Sequence, residues 1–578
     1  MRKLIRFLKG YEKESIIAPL FKMTEASFEL FVPIVMANII DIGINNKDMN
    51  YILKMGAILL LLGVLGLACS ATAQYFSAKA AVGFGTKLRH AMFEHIQNLS
   101  YSEIDLLGSS TLVTRITSDI NQAQAGVNLV LRLLLRAPFI VIGALIMAFT
   151  IHPQIALIFL VATVGLGLII YLIVRFTLPM YKGVQSYLDK VLQTTRENIS
   201  GIRVVRAFRT QKAESKEFEK ENDTLMYWQM KVGDISALMN PLTYVFVNLA
   251  IVLIIWKGAD AVDTGVLTQG QVLALVNYMT QILLALIVLS VLIIAFTKAL
   301  ASAVRINEVF SYTSSIKDGS EEDIEKQTQS KIKVKMENVA LKYATGKEEV
   351  LSNISFTAKE GETIGIIGGT GSGKTSLVNL IPRFYDVSDG MVLVNGENVK
   401  SYKYSKLREK IGVVPQKSVL FHGTIRENMQ FGNALATDKE IEEALCIAQA
   451  AEVVAGKKGG LDAKISEGGR NLSGGQRQRL AIARALVRKP EILILDDSAS
   501  ALDFATDAKL RAAILESTKR MTVFIVSQRA SSIMHANQII VLDNGEVLGI
   551  GEHKKLLETC EIYKEICHSQ LSKEEIGV

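Results

Sequence analysis

Cysteine is scarce in this sequence, and its four residues form no pattern that would bind a metal. Cys69 and Cys446 stand alone, and Cys560 and Cys567 are too far apart for a C-x-x-C pair. The sequence also lacks an internal repeat with a period of about 20 to 50 residues. Neither a zinc site nor a network of disulfide bonds is therefore indicated.

Charged residues are few for a chain of 578 residues, since they make up 21% while 49% of the residues are apolar. This balance is unusual for a soluble protein of this size. A formal net charge of +7 could point to nucleic acid as a partner. The Lys and Arg residues, however, cluster beside hydrophobic stretches, where they would face the cytoplasm. A nucleic-acid partner is therefore not expected.

Six stretches are long enough and apolar enough to cross about 30 Å of hydrocarbon, so the lipid bilayer is a predicted partner. The predicted spans are 16–41, 52–78, 129–151, 155–177, 241–260 and 272–297. The first is the least apolar, because it contains Lys22, Glu25 and Glu29. The basic, amphipathic start of the chain predicts a short interfacial helix along the inner leaflet.

The connections after the second and fourth spans are long, at about 50 and 60 residues, and contain few Gly or Pro residues. Their pattern predicts helices that continue the membrane helices into the cytoplasm. Lys and Arg are concentrated there, which places the N-terminus and everything after the sixth span on the cytoplasmic side of a bacterial plasma membrane. The tips of these connections, near Tyr101–Gly108 and Phe208–Glu214, are predicted to contact the domain that follows.

The character of the sequence changes after the sixth span. The helix is predicted to continue to about Phe310, and residues 311–330 form a polar, acidic linker. Over 331–578, short apolar strands alternate with amphipathic helices, which indicates an α/β domain with a largely parallel sheet. The predicted fold is thus an all-α, six-helix membrane domain over 1–310, followed by this α/β domain.

A phosphate-binding loop lies early in the α/β domain. The strand 363–367 leads into G-x-x-x-x-G-K-[ST] and then into a helix, which is the setting that this motif requires. Backbone N–H groups of such a loop wrap nucleotide phosphates, the lysine places its charge beside the β- and γ-phosphates, and the last hydroxyl binds Mg²⁺. The residues are Gly368, Gly369, Thr370, Gly371, Ser372, Gly373, Lys374, Thr375 and Ser376.

A second strand, 491–495, ends at Asp496 and Asp497. A carboxylate at the carboxyl end of such a strand is where Mg²⁺ is held, directly or through water. We therefore expect Asp496 to act with Thr375 as a metal ligand.

A short motif between these two sites indicates the family. Its residues are Leu472, Ser473, Gly474, Gly475 and Gln476. This stretch is the unaltered signature of ATP-binding cassette (ABC) proteins, and with the six spans before it the whole chain resembles an ABC exporter half-transporter. The resemblance implies ATP and Mg²⁺ as cofactors and ATP hydrolysis coupled to export. It also implies a second half-transporter subunit, because in the family the signature caps the γ-phosphate held by the other subunit's phosphate loop.

The resemblance assigns further roles by position. Tyr343 matches the aromatic residue that stacks on adenine. Gln416 matches the glutamine that contacts Mg²⁺ and senses the γ-phosphate. Residues 467–470 resemble the loop that contacts the membrane helices, and residues 500–503 resemble the loop that crosses to the partner domain.

Two positions depart from the family pattern. The family has Glu after the metal-site Asp, where it polarises the attacking water, and His after the following strand, whereas this sequence has Asp497 and Gln528. Asp is one methylene shorter, and glutamine cannot become cationic. The two replacements predict slow or absent hydrolysis at this chain's own site, in a subunit whose intact signature completes the site of a heterodimeric partner. The alternative is an active homodimer that exports lipid or peptide.

The cargo is predicted only by class. The resemblance implies multidrug-type export of small amphipathic molecules. Glu25 and Glu29 lie four residues apart on one face of the first span, where they could line the path and favour cationic cargo. Alternatively, Lys22 pairs with one of them. A function of another class, an ATP-gated or channel-like subunit, is less favoured because successive spans carry no chain of basic residues to line an anion pore.

Overall fold

The structure, a computed structural model, describes residues 3–319, 331–344, 346, 348–498, 501–517 and 520–571. The chain forms two compact units. The first comprises Met1–Gln97 and Ser110–Ser311, and the second comprises Asn98–Ser109 and Tyr312–Val578. Residues 320–330 of the predicted linker lie outside the described residues, and the predicted domain boundaries stay predictions.

Long helices build the first unit. In chain order, the helices up to residue 311 are α1 Glu12–Asn38, α2 Met49–Gln97, α3 Tyr101–Leu107, α4 Ser109–Thr114, α5 Ile120–Leu133, α6 Arg136–Ile151, α7 Pro153–Ser200, α8 Ile202–Ala207, α9 Gln211–Ala237, α10 Met239–Asp263 and α11 Gln269–Ser311. Of these, the short helix α3 belongs to the second unit. Turns of π-helix at Ile39–Ile44 and Arg115–Asp119 continue α1 and join α4 to α5. Within the described residues, six helical stretches are long and apolar enough to cross a membrane. Each contains one of the predicted spans, so the six-helix prediction is confirmed.

The long connections are helical, as predicted. The helices α2 and α7 run for 49 and 48 residues, well beyond the apolar stretches that they contain. Among residues 3–11, the predicted short N-terminal helix takes the form of a 3₁₀ turn at Ile5–Leu8. Gly10, with φ of +89°, ends this turn before α1 begins. Glycine adopts this left-handed conformation without the steric cost that other residues pay, and it therefore separates the two helical segments.

A proline inside α1 is matched by polar side chains of α11. Pro33 has no N–H group, so the carbonyl of Glu29 loses its partner within the helix. The Gln281 side chain donates a hydrogen bond to this carbonyl at 3.3 Å. One residue further on, the carbonyl of Leu30 accepts a hydrogen bond of 2.6 Å from the hydroxyl of the fully buried Tyr278. The Glu29 carbonyl would be costly to leave without a hydrogen bond, so its bond to Gln281 helps to hold α1 against α11.

Large apolar side chains cover the outside of the first unit. On α2, Leu60, Val64 and Leu67 are 74%, 63% and 72% exposed. Where helices pack against one another, small residues such as Ala144 and Ala148 are buried completely. This distribution suits a lipid solvent, in which large side chains gain nothing from facing inward and small ones let helices approach closely.

The second unit alternates strands and helices. Its strands are β1 Ile332–Leu341, β2 Leu351–Lys359, β3 Thr363–Gly368, β4 Asp389–Val394, β5 Glu397–Asn398, β6 Ile411–Val414, β7 Gly423–Thr424, β8 Lys464–Ile465, β9 Ile492–Asp496, β10 Thr522–Val526, β11 Gln538–Asp543 and β12 Glu546–Gly551. Its helices after α3 are α12 Lys374–Asn379, α13 Tyr404–Glu409, α14 Ile425–Gln430, α15 Asp438–Ile447, α16 Ala451–Ala455, α17 Gly474–Val487, α18 Phe504–Ser517, α19 Ala530–Ile533, α20 His553–Thr559 and α21 Glu561–Gln570. Single 3₁₀ turns lie at Gly460–Asp462 and Glu467–Gly469.

The central sheet of this unit has six strands in the order β12-β11-β3-β10-β9-β6. All neighbours are parallel except β11 and β12, so the predicted, largely parallel sheet is confirmed. Every residue of β3 is buried, as expected for a strand covered on both faces. In the register of the sheet, Val526 lies between Ile366 and Asp496. The carboxyl ends of β3, β10 and β9 therefore meet at one edge.

A second, antiparallel sheet was not predicted. Its order is β2-β1-β4-β5, and β1 pairs with both β2 and β4. The sequence indicates these strands through their apolar residues, but strand pairing is a contact between distant segments that a local pattern does not specify.

The side chain of Glu491 connects the two sheets. Lys333, in β1, and Asn395, just after β4, bond to its Oε2 atom at 2.8 and 3.0 Å. Lys410, just before β6, bonds to its Oε1 atom at 3.2 Å. Burial alone would raise the pKa of Glu491, but the hydrogen bonds from Lys333 and Asn395 and the charge of Lys410 outweigh it and lower the pKa below 4.5. The carboxylate is thus stabilised in its charged form.

Replacing Glu491 with Gln keeps the shape of the side chain and leaves both lysines without their counter-ion. We expect the free energy of unfolding to fall by roughly 1 kcal/mol at pH 7, a modest value because this carboxylate is partly exposed. A carboxylate with a lowered pKa stabilises the folded state above its unfolded-state value of 4.5 and loses that effect as the pH falls through its folded pKa. The difference between wild type and Glu491→Gln should therefore narrow below pH 4.5.

Hydrogen exchange of the β1, β4 and β9 amides, corrected for intrinsic rates and compared at pH 7 and at acid pH, measures this difference. The matched control is Glu558→Gln, on an exposed surface of α20. An equal loss in the control, or a loss that is the same at both pH values, would contradict this account of Glu491.

Candidate functional site

The phosphate-binding loop joins β3 to α12 at the edge where the parallel strands end. Gly371 and Gly373 have φ values of +86° and +94°, which glycine adopts readily. A Cβ atom on Gly373 would also lie 2.7 Å from the Leu351 side chain. The loop therefore needs glycine at Gly373 for two separate reasons, its backbone conformation and its close packing.

The side chain of Lys374 folds back across this loop. Its Nζ atom donates hydrogen bonds to the carbonyls of Gly368 and Gly369 at 2.9 and 2.5 Å and to the hydroxyl of Ser372 at 3.2 Å. Burial lowers the pKa of Lys374, while the carboxylates of Asp497 and Asp496 act in the opposite direction. The ammonium group is thus fixed at the mouth of the loop and incompletely solvated, which strengthens its attraction for an anion.

Thr375 and Asp496 form a pair of oxygen ligands. The Thr375 hydroxyl lies 3.0 Å from each carboxylate oxygen of Asp496. Burial raises the pKa of Asp496, with a further contribution from the charge of Asp497, and the Thr375 hydrogen bond opposes this. A hydroxyl and a carboxylate that converge in this way are the hard oxygen donors that Mg²⁺ prefers. The residues at this position therefore fit a magnesium ion.

A cavity of about 340 Å³ brings the separate motifs together. Residues from five segments of the chain surround it: Val350, then Thr370, Gly371, Gly373, Lys374, Thr375 and Ser376 of the loop, then Gln416, then Asp496 and Asp497, and last Val526, Ser527 and Gln528. The Gln416 amide lies 3.3 Å from an Asp497 carboxylate oxygen. The structure thus places both departures from the family pattern, Asp497 and Gln528, beside the phosphate-binding lysine.

The backbone at Asp497 is held in an uncommon conformation. Its φ is +47°, and its N–H group donates to the carbonyl of Val526 at 3.0 Å. The side chain of Gln478, in α17, donates to the Asp497 carbonyl at 3.4 Å and accepts from the N–H of Ala501 at 3.3 Å. Sequence reasoning missed Gln478, although it lies two residues after the signature. It connects the strand end to the loop of residues 500–503, of which Ser500 lies outside the described residues.

The backbone that carries Gln528 is anchored from the far end of the chain. The amide group of Gln570, the last residue of α21, donates to the Gln528 carbonyl at 2.9 Å. Its oxygen accepts from the N–H of Ala530 at 2.8 Å. No pattern in the sequence indicated this contact, because it joins positions more than forty residues apart.

Tyr343 lies outside the cavity lining but contacts the same loop. Its hydroxyl donates to the Ser376 hydroxyl at 2.8 Å, and burial raises its pKa. Its ring meets that of Tyr385 edge to face at a centroid distance of 5.0 Å. The role of Tyr343 in stacking on adenine stays a prediction.

The signature forms the start of α17. Ser473 is the N-cap: its hydroxyl accepts from the Gln476 N–H at 3.2 Å, and the Gln476 side chain accepts from the Ser473 N–H at 3.0 Å. Leu472 is buried, whereas Ser473 and Gly474 are exposed. None of these residues lines the cavity that contains Lys374. The signature therefore presents the amino end of a helix to the surface, apart from the chain's own phosphate loop.

The first predicted tip, near Tyr101–Gly108, belongs to the second unit as α3. The Tyr101 ring packs against Phe384 at 4.6 Å, and the Asp105 carboxylate accepts a hydrogen bond of 2.5 Å from the Tyr385 hydroxyl. Tyr385 also contacts Tyr343, so a short path of aromatic rings leads from α3 to the phosphate loop. The second tip lies in the first unit, where Phe208 is 76% exposed.

Glu25 and Glu29 of the first span both have cationic partners. Lys22 bonds to Glu25 at 2.5 Å and to the Ser70 hydroxyl at 2.9 Å. This agrees with the alternative in which Lys22 pairs with one of them. Glu29 accepts two hydrogen bonds from Arg136 of α6, at 2.7 and 2.9 Å, a contact that the sequence did not indicate. The two carboxylates therefore add no uncompensated negative charge to this region.

Known proteins share this arrangement. The sequence model of the ABC transporter transmembrane region matches residues 15–311, and that of the ABC transporter matches residues 351–500. An uncharacterized ABC transporter ATP-binding protein of Mycobacterium tuberculosis is 36% identical, with 99% of each chain covered. An ATP-dependent lipid A-core flippase of Syntrophus aciditrophicus is 32% identical over 85% of this chain and 81% of its own. The solved structure of a bacterial Atm1-family ABC exporter with ATP bound has a similar fold, with a TM-score of 0.79 and 22% identity over 97% of this chain and 99% of its own.

The transmembrane match covers more than half of the chain, and the mycobacterial relative matches almost all of it. Both matches agree with the six long apolar helices and with the nucleotide cavity of the second unit. The chain belongs to the ABC transporter family and is a multi-pass membrane protein whose transmembrane region is followed by an ATP-binding ABC ATPase domain.

Proposed function

We propose that this protein is one half of a heterodimeric ABC exporter that uses ATP to move amphipathic small molecules across the cytoplasmic membrane. Its own nucleotide site turns over slowly, and its signature completes the active site of the partner subunit. The observation that carries the proposal is that Asp497 and Gln528 line the same cavity as Lys374 and Thr375. Both departures from the family pattern therefore affect one nucleotide.

The slow site follows from the length and charge of two side chains. Asp497 is one methylene shorter than the Glu of the family pattern, so its carboxylate is displaced by about 1 to 1.5 Å from the position that polarises the attacking water. This displacement lowers the rate of ATP hydrolysis by roughly a hundredfold. The Gln416 amide, 3.3 Å from this carboxylate, further restrains its direction. Gln528 can donate a hydrogen bond to a phosphate oxygen, but it cannot supply a positive charge.

Nucleotide binding requires neither the Glu nor the His that this chain lacks at positions 497 and 528. The loop N–H groups and the Lys374 ammonium hold the phosphates. Thr375, Asp496 and Gln416 are the residues that would hold Mg²⁺, which neutralises phosphate charge when bound. This chain therefore binds ATP firmly while hydrolysing it slowly.

The exposed signature supports a role in trans. The N–H groups of Gly474 and Gly475 and the dipole of the fourteen-residue helix α17 point toward the surface at Ser473. An anion held by a second subunit is the ligand that such a helix end attracts. The cargo class rests on the family and on the lipid A-core flippase named above, since lipid A-core is itself amphipathic.

Variants of the signature and of the phosphate loop distinguish a heterodimer with one slow site from a homodimer with two active sites. In the assembled pair, Gly474→Asp places a negative charge where the partner's γ-phosphate is bound, and we expect ATP turnover to fall by about a hundredfold. Lys374→Ala disables the slow site, and we expect it to lower turnover by less than about tenfold. Steady-state phosphate release by the purified pair measures both effects.

Gly474→Ala is the matched control, because a Cβ atom there lies 3.6 Å from the nearest side-chain atom, an ordinary contact. It should retain most of the activity. If Gly474→Asp and Lys374→Ala abolish turnover equally, this chain's own site is as important for turnover as the partner's, which contradicts the slow-site proposal.

Restoring the family pattern should activate the chain without its partner. We expect wild-type protein alone to show little ATP turnover, and the double variant Asp497→Glu with Gln528→His to raise it by about a hundredfold. The measurement is single-turnover hydrolysis by the purified chain in lipid nanodiscs. Adding Asp496→Asn to the double variant should remove the gain. Robust turnover by the unmodified chain alone, or no gain in the double variant, would contradict the slow-site hypothesis.

A further inference from the structure

A cavity of about 570 Å³ lies between α7 and α11 in the membrane unit. Its wall is mostly apolar, and one end of it is basic. The residues that surround it are Gly167, Ile170, Tyr171, Val174, Arg175, Leu178, Pro179, Lys182, Leu286, Leu289, Ser290 and Ile293. Its size suits a drug-sized or lipid-sized ligand.

Two positive charges stand on one side of this cavity. Arg175 and Lys182 lie seven residues apart in α7, which is two helical turns, so they project from the same face about 10 Å apart. Neither has a hydrogen-bond or ion-pair partner among the residues that the structure describes, and the cavity lining contains no carboxylate. Both residues are exposed, and two such cations beside an apolar wall attract a negative group from a ligand.

The charges and the apolar wall are arranged along the membrane normal. Arg175 is near the inner end of the predicted fourth span, 155–177, and Lys182 lies beyond it. Ile170, Leu286 and Leu289 lie within predicted spans, at the depth of the hydrocarbon. A molecule that fits this gradient has an apolar tail and a head at the level of the inner leaflet's headgroups.

The carboxylates of Glu25 and Glu29 in α1 do not offer a competing site for a cation. Glu25 is paired with Lys22, and Glu29 is paired with Arg136. The hydroxyl of Ser290, the remaining small polar group of the cavity, already donates to the carbonyl of Leu286 at 3.1 Å. The uncompensated charge that a ligand meets in this cavity is therefore positive.

We infer that the cavity between α7 and α11 binds an anionic amphiphile as cargo, with its negatively charged head at Arg175 and Lys182 and its tail against the apolar wall. This inference names the cargo class of the proposed exporter and so rests on the proposed function. It replaces the cationic cargo that Glu25 and Glu29 alone suggest.

The test uses the assembled pair in nanodiscs of zwitterionic phosphatidylcholine, without nucleotide. Fluorescent phosphatidylglycerol is titrated against phosphatidylcholine with the same label, and wild type should prefer the anionic probe. Each cation near a headgroup contributes about fivefold to the attraction of an anionic lipid, so Arg175→Gln with Lys182→Gln should lower that preference by roughly tenfold to thirtyfold. Arg175→Glu with Lys182→Glu should reverse it in favour of a cationic probe.

Lys298→Gln is the matched control, because this exposed lysine of α11 does not line the cavity, and it should keep the wild-type preference. Competition with soluble glycerol phosphate separates the head alone from the amphiphile, and only the intact amphiphile should displace the probe. A preference that survives in both double variants, or no preference in wild type, overturns the inference. Binding is measured without ATP, so an absence of ATP turnover in the same pair would count against the proposed function and leave the cargo inference standing.

Discussion

Polyphosphate binding demands that several N–H groups and one ammonium group converge on a space only a few ångströms wide. In this protein the convergence depends on the parallel pairing of three buried strands, β3, β9 and β10. Their carboxyl ends stop at one sheet edge, so the loop after β3, the acidic pair at the end of β9 and Gln528 after β10 become neighbours although they are far apart in sequence. A slip of one residue in this register would turn the side chains of the slipped strand to the other face and displace the loop that follows it.

The same pairing explains why the site could be predicted from the sequence. Lys374, Thr375 and Asp496 lie in motifs whose strand–loop–helix setting can be recognised locally, and the structure brings them into one cavity. The contacts of Gln478 and Gln570 could not be predicted, because each depends on where a distant segment packs. The four-stranded antiparallel sheet escaped prediction for the same reason. Local patterns indicate strands and helices, whereas long-range pairing depends on the whole chain.

The membrane unit follows a different rule, since its charged groups must be compensated inside a medium that does not solvate them. Lys22 and Glu25 satisfy this requirement within α1, and Arg136 of α6 satisfies it for Glu29 of α1. Pro33 creates a similar requirement in the backbone, which Gln281 meets. The sequence offered Lys22 as a partner within the same helix but not Arg136, because a partner on another helix has no fixed spacing. Arg175 and Lys182, by contrast, have no carboxylate beside them in the cavity that they line.

The position of α3 has a consequence for biosynthesis. This helix lies at residues 101–107 but belongs to the same compact unit as the chain from Tyr312 onward. A ribosome therefore makes it about 280 residues before Phe384 and Tyr385, the residues between α12 and β4 with which it packs. Until Phe384 and Tyr385 emerge, the ring of Tyr101 and the carboxylate of Asp105 lack their native contacts. The ATPase unit can fold completely only after the last membrane helix has been made. A fully folded ATPase unit is therefore present only in chains whose whole membrane half has been synthesised.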